Sequence, residues 1–242
     1  LSATFVIYFL ATSVAIFRKR NVAEAAVEAQ CACIGNVGFL GIPMLAMLMG
    51  PEAVLWVMLV LAIDQLVFGS LIVILIVGSR DGRISFGMLK TVGFGLIKNP
   101  MIMAMLAGLL CSSSGVALPT PAIEFFDILG AAATPGALFA IGASLASKSA
   151  ERITVAGWLA FCKLILHPGA VAISALLIFS VAPYPAAVLI AATALPVAGN
   201  IFILATHYKV APARVSASIL LSTVASVVTV SLVIAWVNVL YN

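Results

Sequence analysis

The run Asn36-Val37-Gly38-Phe39-Leu40-Gly41-Ile42-Pro43 stands in the middle of an apolar stretch. Glycine costs a helix about 1 kcal/mol against alanine, and proline removes a backbone donor and clashes with the preceding turn. A helix through this stretch is therefore predicted to break at 36–43. A second run of this kind, Ala194-Leu195-Pro196-Val197-Ala198-Gly199-Asn200, predicts a second break at 196–200.

The composition shows what surrounds these breaks. Of 242 residues, 64% are apolar and 8% are charged, whereas a soluble domain averages about 45–50% and about 25%. A water-soluble globule is excluded, and the expected solvent is the lipid bilayer. In a membrane protein, the Lys and Arg residues behind a net charge of +4 indicate how the chain is oriented in the membrane. The positive charge therefore does not indicate a nucleic-acid partner.

Gly, Pro and charged residues divide the chain into hydrophobic segments, each long enough to cross a bilayer at about 20 residues per crossing. The fold class is thus predicted to be an all-α polytopic membrane protein with eight transmembrane segments. The segments are 1–17, 23–49, 52–78, 95–113, 121–147, 153–181, 184–206 and 212–240.

The basic residues support this division. Eleven of the 12 Lys and Arg residues lie in the first, third, fifth and seventh connections, and the twelfth, Lys163, lies inside a segment. Because cytoplasmic connections carry the excess of Lys and Arg, these four connections are predicted to be cytoplasmic. Both chain ends then lie on the non-cytoplasmic side of the cell's inner membrane.

The two breaks also suggest an internal repeat. The first three segments match the last three, and the fourth and fifth have no partner, as expected if two further helices precede Leu1. The halves begin on opposite sides of the membrane, so the repeats are inverted. The prediction is part of a transporter of five plus five helices with two broken crossover helices.

Unwound backbone at bilayer depth is tolerated only where it is buried or lines a cavity, so the two breaks are predicted to face each other. Each creates a half-helix N-terminus with free N–H groups and a partial positive charge, which suits a carboxylate. The alternative is that Gly and Pro only kink packed helices. The predicted substrate-binding residues are Asn36, Gly38, Gly41, Pro43, Pro196, Gly199 and Asn200.

Two charges are predicted near the middle of the bilayer, where charges are costly and usually functional. Asp64 could bind a proton or a cation, and Lys163 could attract an anion or replace a metal ion. A structural ion pair between them, or a bond to the backbone of an unwound segment, explains them equally well. His167, four residues beyond Lys163, could relay a proton or pack as a neutral side chain.

No enzyme motif is present: HExxH, GxSxG and a phosphate loop are all missing from the sequence. We therefore expect no catalytic residue, no metal site and no cofactor. Coupling to H⁺, coupling to Na⁺ and transport driven by membrane potential alone all fit the sequence.

Four stretches together resemble the auxin efflux carrier family, in particular its bacterial members described as malonate or organic-acid permeases. They are NVGFLGIP, KNPMIMAMLAGLL, TPGALFAIGASLA and ALPVAGNIFILATHY. The resemblance implies the bile acid/sodium symporter fold, in which a transport domain moves against a scaffold by an elevator-like motion. It assigns 1–79 and 149–242 to the transport-domain helices of the two repeats, 80–94 to a cytoplasmic loop and 95–148 to scaffold helices.

The function predicted from the sequence is secondary transport of a small organic anion, a mono- or dicarboxylate such as malonate. The expected partners are that anion, the lipid bilayer and a second copy of the chain that docks through the scaffold helices. The alternative is a membrane receptor that binds a small organic acid without moving it.

Overall fold

A computed structural model of the chain describes residues 1–81, 90, 93–94, 97, 100–146 and 153–241. Over these residues the chain is helical, and the only extended pairing is one isolated bridge. The all-α prediction is confirmed for this part of the chain. Most of the predicted loop 80–94 lies outside the described residues.

The first half contains five α-helices before the loop. Two of the predicted segments are interrupted: the second by a π-helical turn at Val37–Gly41 that follows the break, and the third by one at Asp64–Phe68. The helices are α1 (Ser2–Phe17), α2 (Val22–Cys33), α3 (Ile42–Met49), α4 (Ala53–Ile63) and α5 (Gly69–Asp81).

The second half begins with two uninterrupted helices, and its later segments are again divided. Further π-helical turns lie at Cys162–Leu166 and Ile173–Ile178. The helices are α6 (Pro100–Ser114), α7 (Thr120–Ala146), α8 (Ile153–Phe161), α9 (His167–Ala172), α10 (Pro183–Thr193), α11 (Asn200–His207) and α12 (Pro212–Tyr241).

Two of the π-helical turns end just before a proline. Val37–Gly41 precedes Pro43, and Cys162–Leu166 precedes Pro168. In an α-helix, a proline has no N–H to donate to the carbonyl four residues earlier, and its ring clashes with that carbonyl. A π-helical turn is wider, so it relieves the clash and the missing hydrogen bond. The sequence signal for these turns is therefore a proline inside an apolar segment.

Helices at the predicted segments differ in length. Within the described residues, three are long and apolar enough to cross a membrane: Ala53–Ser79, Ile153–Ile178 and Pro212–Leu240. Shorter apolar helices are Ser2–Phe17, Val37–Met49 and Pro183–Thr193. Length and composition agree with an integral membrane protein.

The bundle packs around α2 and α10, whose small residues let neighbouring helices approach closely. Nearly every residue of α2 and of the second half of α10 is buried. Helix α2 contacts α1, α5 and α8, and α10 contacts α4 and α12. The two helices that end at the breaks are thus the central helices of the bundle.

Helix α7 contacts this bundle at the turn Val37–Gly41, which follows the first break. Its described apolar side chains are largely exposed, for example Phe126 and Ile128. The same is true of α6, where Leu110 is exposed. These two helices therefore lie to one side of the body formed by the others.

A charged cluster joins the two halves at the end of the bundle that carries the α1–α2 connection. Glu28 of α2 is 1% exposed, and its oxygens accept hydrogen bonds of 2.7 and 2.5 Å from Arg18 and one of 2.6 Å from Arg214 of α12. Arg214 also lies 3.2 Å from Glu24, which is 3.6 Å from Arg20. Glu28 is thus a buried charge with two cationic partners.

Candidate functional site

The two breaks cross each other inside the bundle. Gly35 and Val197 form an antiparallel bridge. On either side of it, the Asn36 N–H donates to the Pro196 carbonyl at 2.8 Å, and the Ala198 N–H donates to the Ile34 carbonyl at 3.1 Å. Each break thus satisfies backbone groups of the other, which is how unwound backbone can exist at membrane depth.

The first break lies earlier than predicted. Helix α2 ends at Cys33, and Ile34 is extended, with φ −88° and ψ 120°. Gly38 and Gly41 lie within the π-helical turn, and Pro43 lies in the first turn of α3, where a proline costs little because its missing N–H would have no helical partner. These three residues therefore shape the returning helix and do not form the break.

The second break falls where it was predicted. Helix α10 ends at Thr193, Pro196 and Gly199 lie in the non-helical stretch, and Asn200 is the first residue of α11. The N-terminus of α11 and the turn that begins α3 therefore both start at the crossing.

Glycine is needed at the crossing for space. A Cβ on Gly35 would lie 3.2 Å from the Cε and Nζ atoms of Lys163 and 3.4 Å from the Leu195 carbonyl oxygen. A Cβ on Gly41 would lie 2.7 Å from a methyl of Leu195. The sequence indicated Gly41 but missed Gly35, which stands outside the quoted motif.

Lys163 is fully buried at this crossing. Its ammonium donates a hydrogen bond to the carbonyl of Thr193, the last residue of α10. The C-terminal end of a helix carries a partial negative charge and unpaired carbonyls, so this cation neutralises the end of the broken helix. Of the alternatives for Lys163, the structure has the bond to the backbone beside the break.

Asp64 and Lys163 do not form a direct ion pair: no oxygen of Asp64 lies within 4.0 Å of the Lys163 ammonium. Each is placed by a π-helical turn, Asp64–Phe68 and Cys162–Leu166. The two charges act on each other through space without direct contact, and Lys163 bonds to the backbone beside the break.

His167 lies beside Lys163 and the backbone of Thr193, the last residue of α10. Its Nδ1 is 3.5 Å from the Lys163 Nζ, and its Nε2 is 3.1 Å from the Thr4 hydroxyl of α1. His167 is 2% exposed. It is therefore packed within a polar chain that joins α1 to the crossing.

Ser222 of α12 forms a hydrogen bond with the second break. Its hydroxyl oxygen accepts a hydrogen bond of 3.1 Å from the Val197 N–H, and Ser222 is fully buried. The sequence offers one signal for this role, since Ser218, Ser222 and Ser226 share a helix face. It does not show which of the three meets the break.

A small cavity lies beside the crossing. Its volume is about 20 Å³, enough for one water-sized group, so the groups around it converge on a single point. Four polar side chains line it: Asn36, Asp64, Gln65 and Asn200. The other lining residues are Ile34, Gly35, Gly38, Phe39, Leu61, Ala198 and Gly199.

The polar groups of this cavity have unused hydrogen-bonding capacity. The Asn200 Oδ1 atom is buried and has no partner. The Asn36 amide and the Asp64 carboxylate accept and donate no side-chain hydrogen bond to any described residue, although both residues are 6% exposed. Gln65 was missed by the sequence reasoning, because an amide next to Asp64 carries no motif of its own.

The described residues contain no group of three or more His, Cys, Asp or Glu side chains that could hold a metal ion. Of the four cysteines, Cys31, Cys33 and Cys162 are buried and Cys111 is partly exposed, and all four are free thiols. What the crossing offers a ligand is therefore amides, one carboxylate and two helix N-termini.

Comparison with known proteins adds the family. The family described as "Membrane transport protein" matches residues 1–234. The chain belongs to this family. A relative in Rhizobium meliloti (strain 1021), which bears the name "Putative malonate transporter", is 28% identical over 235 residues, covering 94% of this chain and 72% of the relative.

The family membership confirms the resemblance drawn from the four sequence motifs and the prediction of a transmembrane transport protein. It favours transport over the receptor alternative, because the family is one of transporters. The match spans both breaks and the crossing between them.

Proposed function

We propose that this protein is a secondary transporter of a small organic anion, a mono- or dicarboxylate such as malonate, and not an enzyme. The observation that carries the proposal is the crossing of two broken helices beside a cavity lined by Asn36 and Asn200. The name of the Rhizobium meliloti relative supports malonate as the first substrate to test.

The anion is recognised by the ends of the returning half-helices. At the starts of α11 and of the turn before α3, the N–H groups of Asn200 and Gly38 donate to no carbonyl of a described residue, and each end carries a partial positive charge. The amides of Asn36 and Asn200 add neutral donors that orient a carboxylate without the cost of burying another charge. Gly38, Gly41, Pro43, Pro196 and Gly199 act through the backbone that they shape.

The transport domain consists of residues 1–79 and 149–242, as two inverted repeats, and the scaffold includes 95–148. The contact between α7 and the turn Val37–Gly41 supports this division. A transport domain that contacts its scaffold beside the crossing can carry the bound anion past the scaffold. An elevator-like movement follows from this arrangement, and the exposed faces of α6 and α7 are available to a second copy.

The protein lies in the cell's inner membrane with both ends of this chain on the non-cytoplasmic side. The alternation of the basic residues supports this orientation. The charged cluster around Glu28 then lies on the cytoplasmic side.

Uptake of labelled malonate into proteoliposomes containing the full-length protein tests the function. We expect uptake that saturates and that competing dicarboxylates inhibit. Asn36→Ala and Asn200→Ala should each weaken binding ten- to a hundred-fold, since a hydrogen bond to a charged ligand contributes about 1.5–3 kcal/mol. Ser231→Ala, an exposed position on α12, is the control and should transport normally.

Wild-type affinity in both asparagine variants would place the site away from the crossing. Uptake that does not exceed that of empty vesicles for any carboxylate would contradict the proposed substrate class. Imposed gradients of H⁺ and of Na⁺ in the same vesicles identify the coupling ion.

A further inference from the structure

Asp64 carries a carboxylate, which is unexpected in a site that only binds an anion. It lines the same small cavity as Asn36 and Asn200. Because that cavity holds one water-sized group, a dicarboxylate must widen it to bind, and one end of the ligand then meets the Asp64 carboxylate. Asp64 is 6% exposed, and no described residue forms an ion pair or a hydrogen bond with it. A buried carboxylate normally has such a partner.

The charged groups around Asp64 do not supply that partner. Lys163, on the neighbouring π-helical turn, donates to the carbonyl of Thr193. Its ammonium acts on Asp64 only through space. Cys33, at the end of α2, directs its thiol to the carbonyl of Thr4. His167 faces Lys163 and Thr4.

This arrangement discriminates between the protonation states of a dicarboxylate. A fully ionised dicarboxylate would bring its second carboxylate against Asp64, and two carboxylates at contact distance repel unless they share a proton. A half-protonated dicarboxylate has one ionised carboxylate for the helix N-termini and one carboxyl O–H that can donate to Asp64. Such charge-assisted hydrogen bonds are the strong ones.

We propose that Asp64 selects the half-protonated form of a dicarboxylate by accepting a hydrogen bond from its carboxyl group, while the ionised carboxylate binds at Asn36, Asn200 and the start of α11. The inference rests on the proposed function and names the species that is bound. The proton then crosses the membrane on the substrate, so each dicarboxylate carries one negative charge.

Two ligands of equal size separate this inference from simple anion binding. Malonate exchanges its second proton in the weakly acidic range, whereas its monoamide, malonamate, keeps one carboxylate and one N–H donor on both sides of that range. Affinities are measured on the purified full-length protein by thermal-shift titration, once at a pH below the second ionisation of malonate and once above it.

We expect malonate to bind about tenfold or more weakly at the higher pH, because the species with a donor becomes scarce. Malonamate should bind equally well at both. In Asp64→Asn the amide can donate to an ionised carboxylate, so malonate should bind as well at the higher pH as at the lower. Asp127→Asn, at an exposed position on α7, is the matched control and should keep the wild-type dependence.

Malonate affinity in the wild-type protein that is equal or greater at the higher pH would overturn the inference and leave the proposed function standing. This comparison needs no variant, so it decides the question even if Asp64→Asn does not fold. Failure of both ligands to bind at either pH would overturn the proposed function, and the inference with it.

Discussion

The backbone N–H of Asn36 donates a hydrogen bond of 2.8 Å to the carbonyl oxygen of Pro196. The two residues belong to different halves of the chain, and each lies next to the point where its helix is broken. The pairing replaces the helical bonds that the breaks remove, so neither break is stable without the other. The crossing is therefore one structural unit made by two distant sequence motifs.

The Val197 N–H depends on Ser222 for its partner. Ser222→Ala would leave this buried donor unsatisfied, which costs about 1–3 kcal/mol. Ser226→Ala is the control, because the Ser226 hydroxyl only donates to the carbonyl of Thr223 within its own helix. We expect a lower melting temperature for Ser222→Ala than for Ser226→Ala, measured by tryptophan fluorescence in detergent. Equal melting temperatures would mean that the Val197 N–H finds another acceptor.

Gly35 has no room for a side chain. Because a Cβ there would press on the Lys163 ammonium at 3.2 Å, Gly35→Ala should separate Lys163 from Thr193 and reduce both stability and uptake. Gly157→Ala is the matched control on α8, since a Cβ at Gly157 meets nothing within 4 Å and alanine favours a helix. The comparison is made by thermal unfolding and by uptake. Loss of function in both variants would remove the steric explanation.

Lys163 and Asp64 act on each other only through space, so loss of the direct Lys163–Thr193 bond should add to the effect of Asp64→Asn. Lys163→Met removes the donor to Thr193 whether or not Asp64 is charged. We therefore expect the double variant with Asp64→Asn to melt at a lower temperature than either single variant. A double-mutant cycle measured by thermal unfolding tests this. A double variant more stable than Lys163→Met would show that the two charges compensate each other as a pair.

Glu28 is the buried partner of two arginines. Glu28→Gln would leave Arg18 without a carboxylate and Arg214 with Glu24 alone, and breaking a buried pair costs about 3–5 kcal/mol. The loss is expected at the lower end, because the Arg18 side chain is 28% exposed and can be hydrated. Glu52→Gln, at an exposed site, should leave the melting temperature unchanged. A Glu28→Gln protein as stable as the wild type would show that the cluster does not stabilise the fold.

The proposed orientation is tested by labelling single cysteines in a background without the four native thiols. Cysteines at Lys19 and Lys209 should react with an impermeant reagent applied to the cytoplasmic side. Those at Glu52 and Ser113 should react from the other side. Labelling of Lys19 and Glu52 positions from the same face would contradict the segmentation.

Much of this architecture could be predicted because it depends on local chemistry. Gly and Pro at bilayer depth predicted two breaks, and the rule that unwound backbone must be buried predicted that they meet. The break before Asn36 was misplaced by a few residues because a proline in the first turn of a helix is stable there. Local composition cannot show whether Pro43 ends a helix or begins one.

The contacts within the site were harder to predict from the sequence, because they depend on the register between distant helices. The sequence allows an ion pair between Lys163 and Asp64, and only the placement of α10 shows that Lys163 donates to Thr193. Ser222 looks like its neighbours Ser218 and Ser226 until the position of Val197 is known. Gln65 becomes a site residue only through the cavity that it lines.

The charged cluster described for Glu28 has a consequence for biogenesis. Arg214 lies 186 residues beyond Glu28, so ribosomal synthesis delivers the second cation long after α2 has left the exit tunnel. During that interval Arg18 is the neighbour at hand, and the nascent first half carries an incompletely compensated carboxylate. The cluster is therefore completed only when the last helix joins the first two.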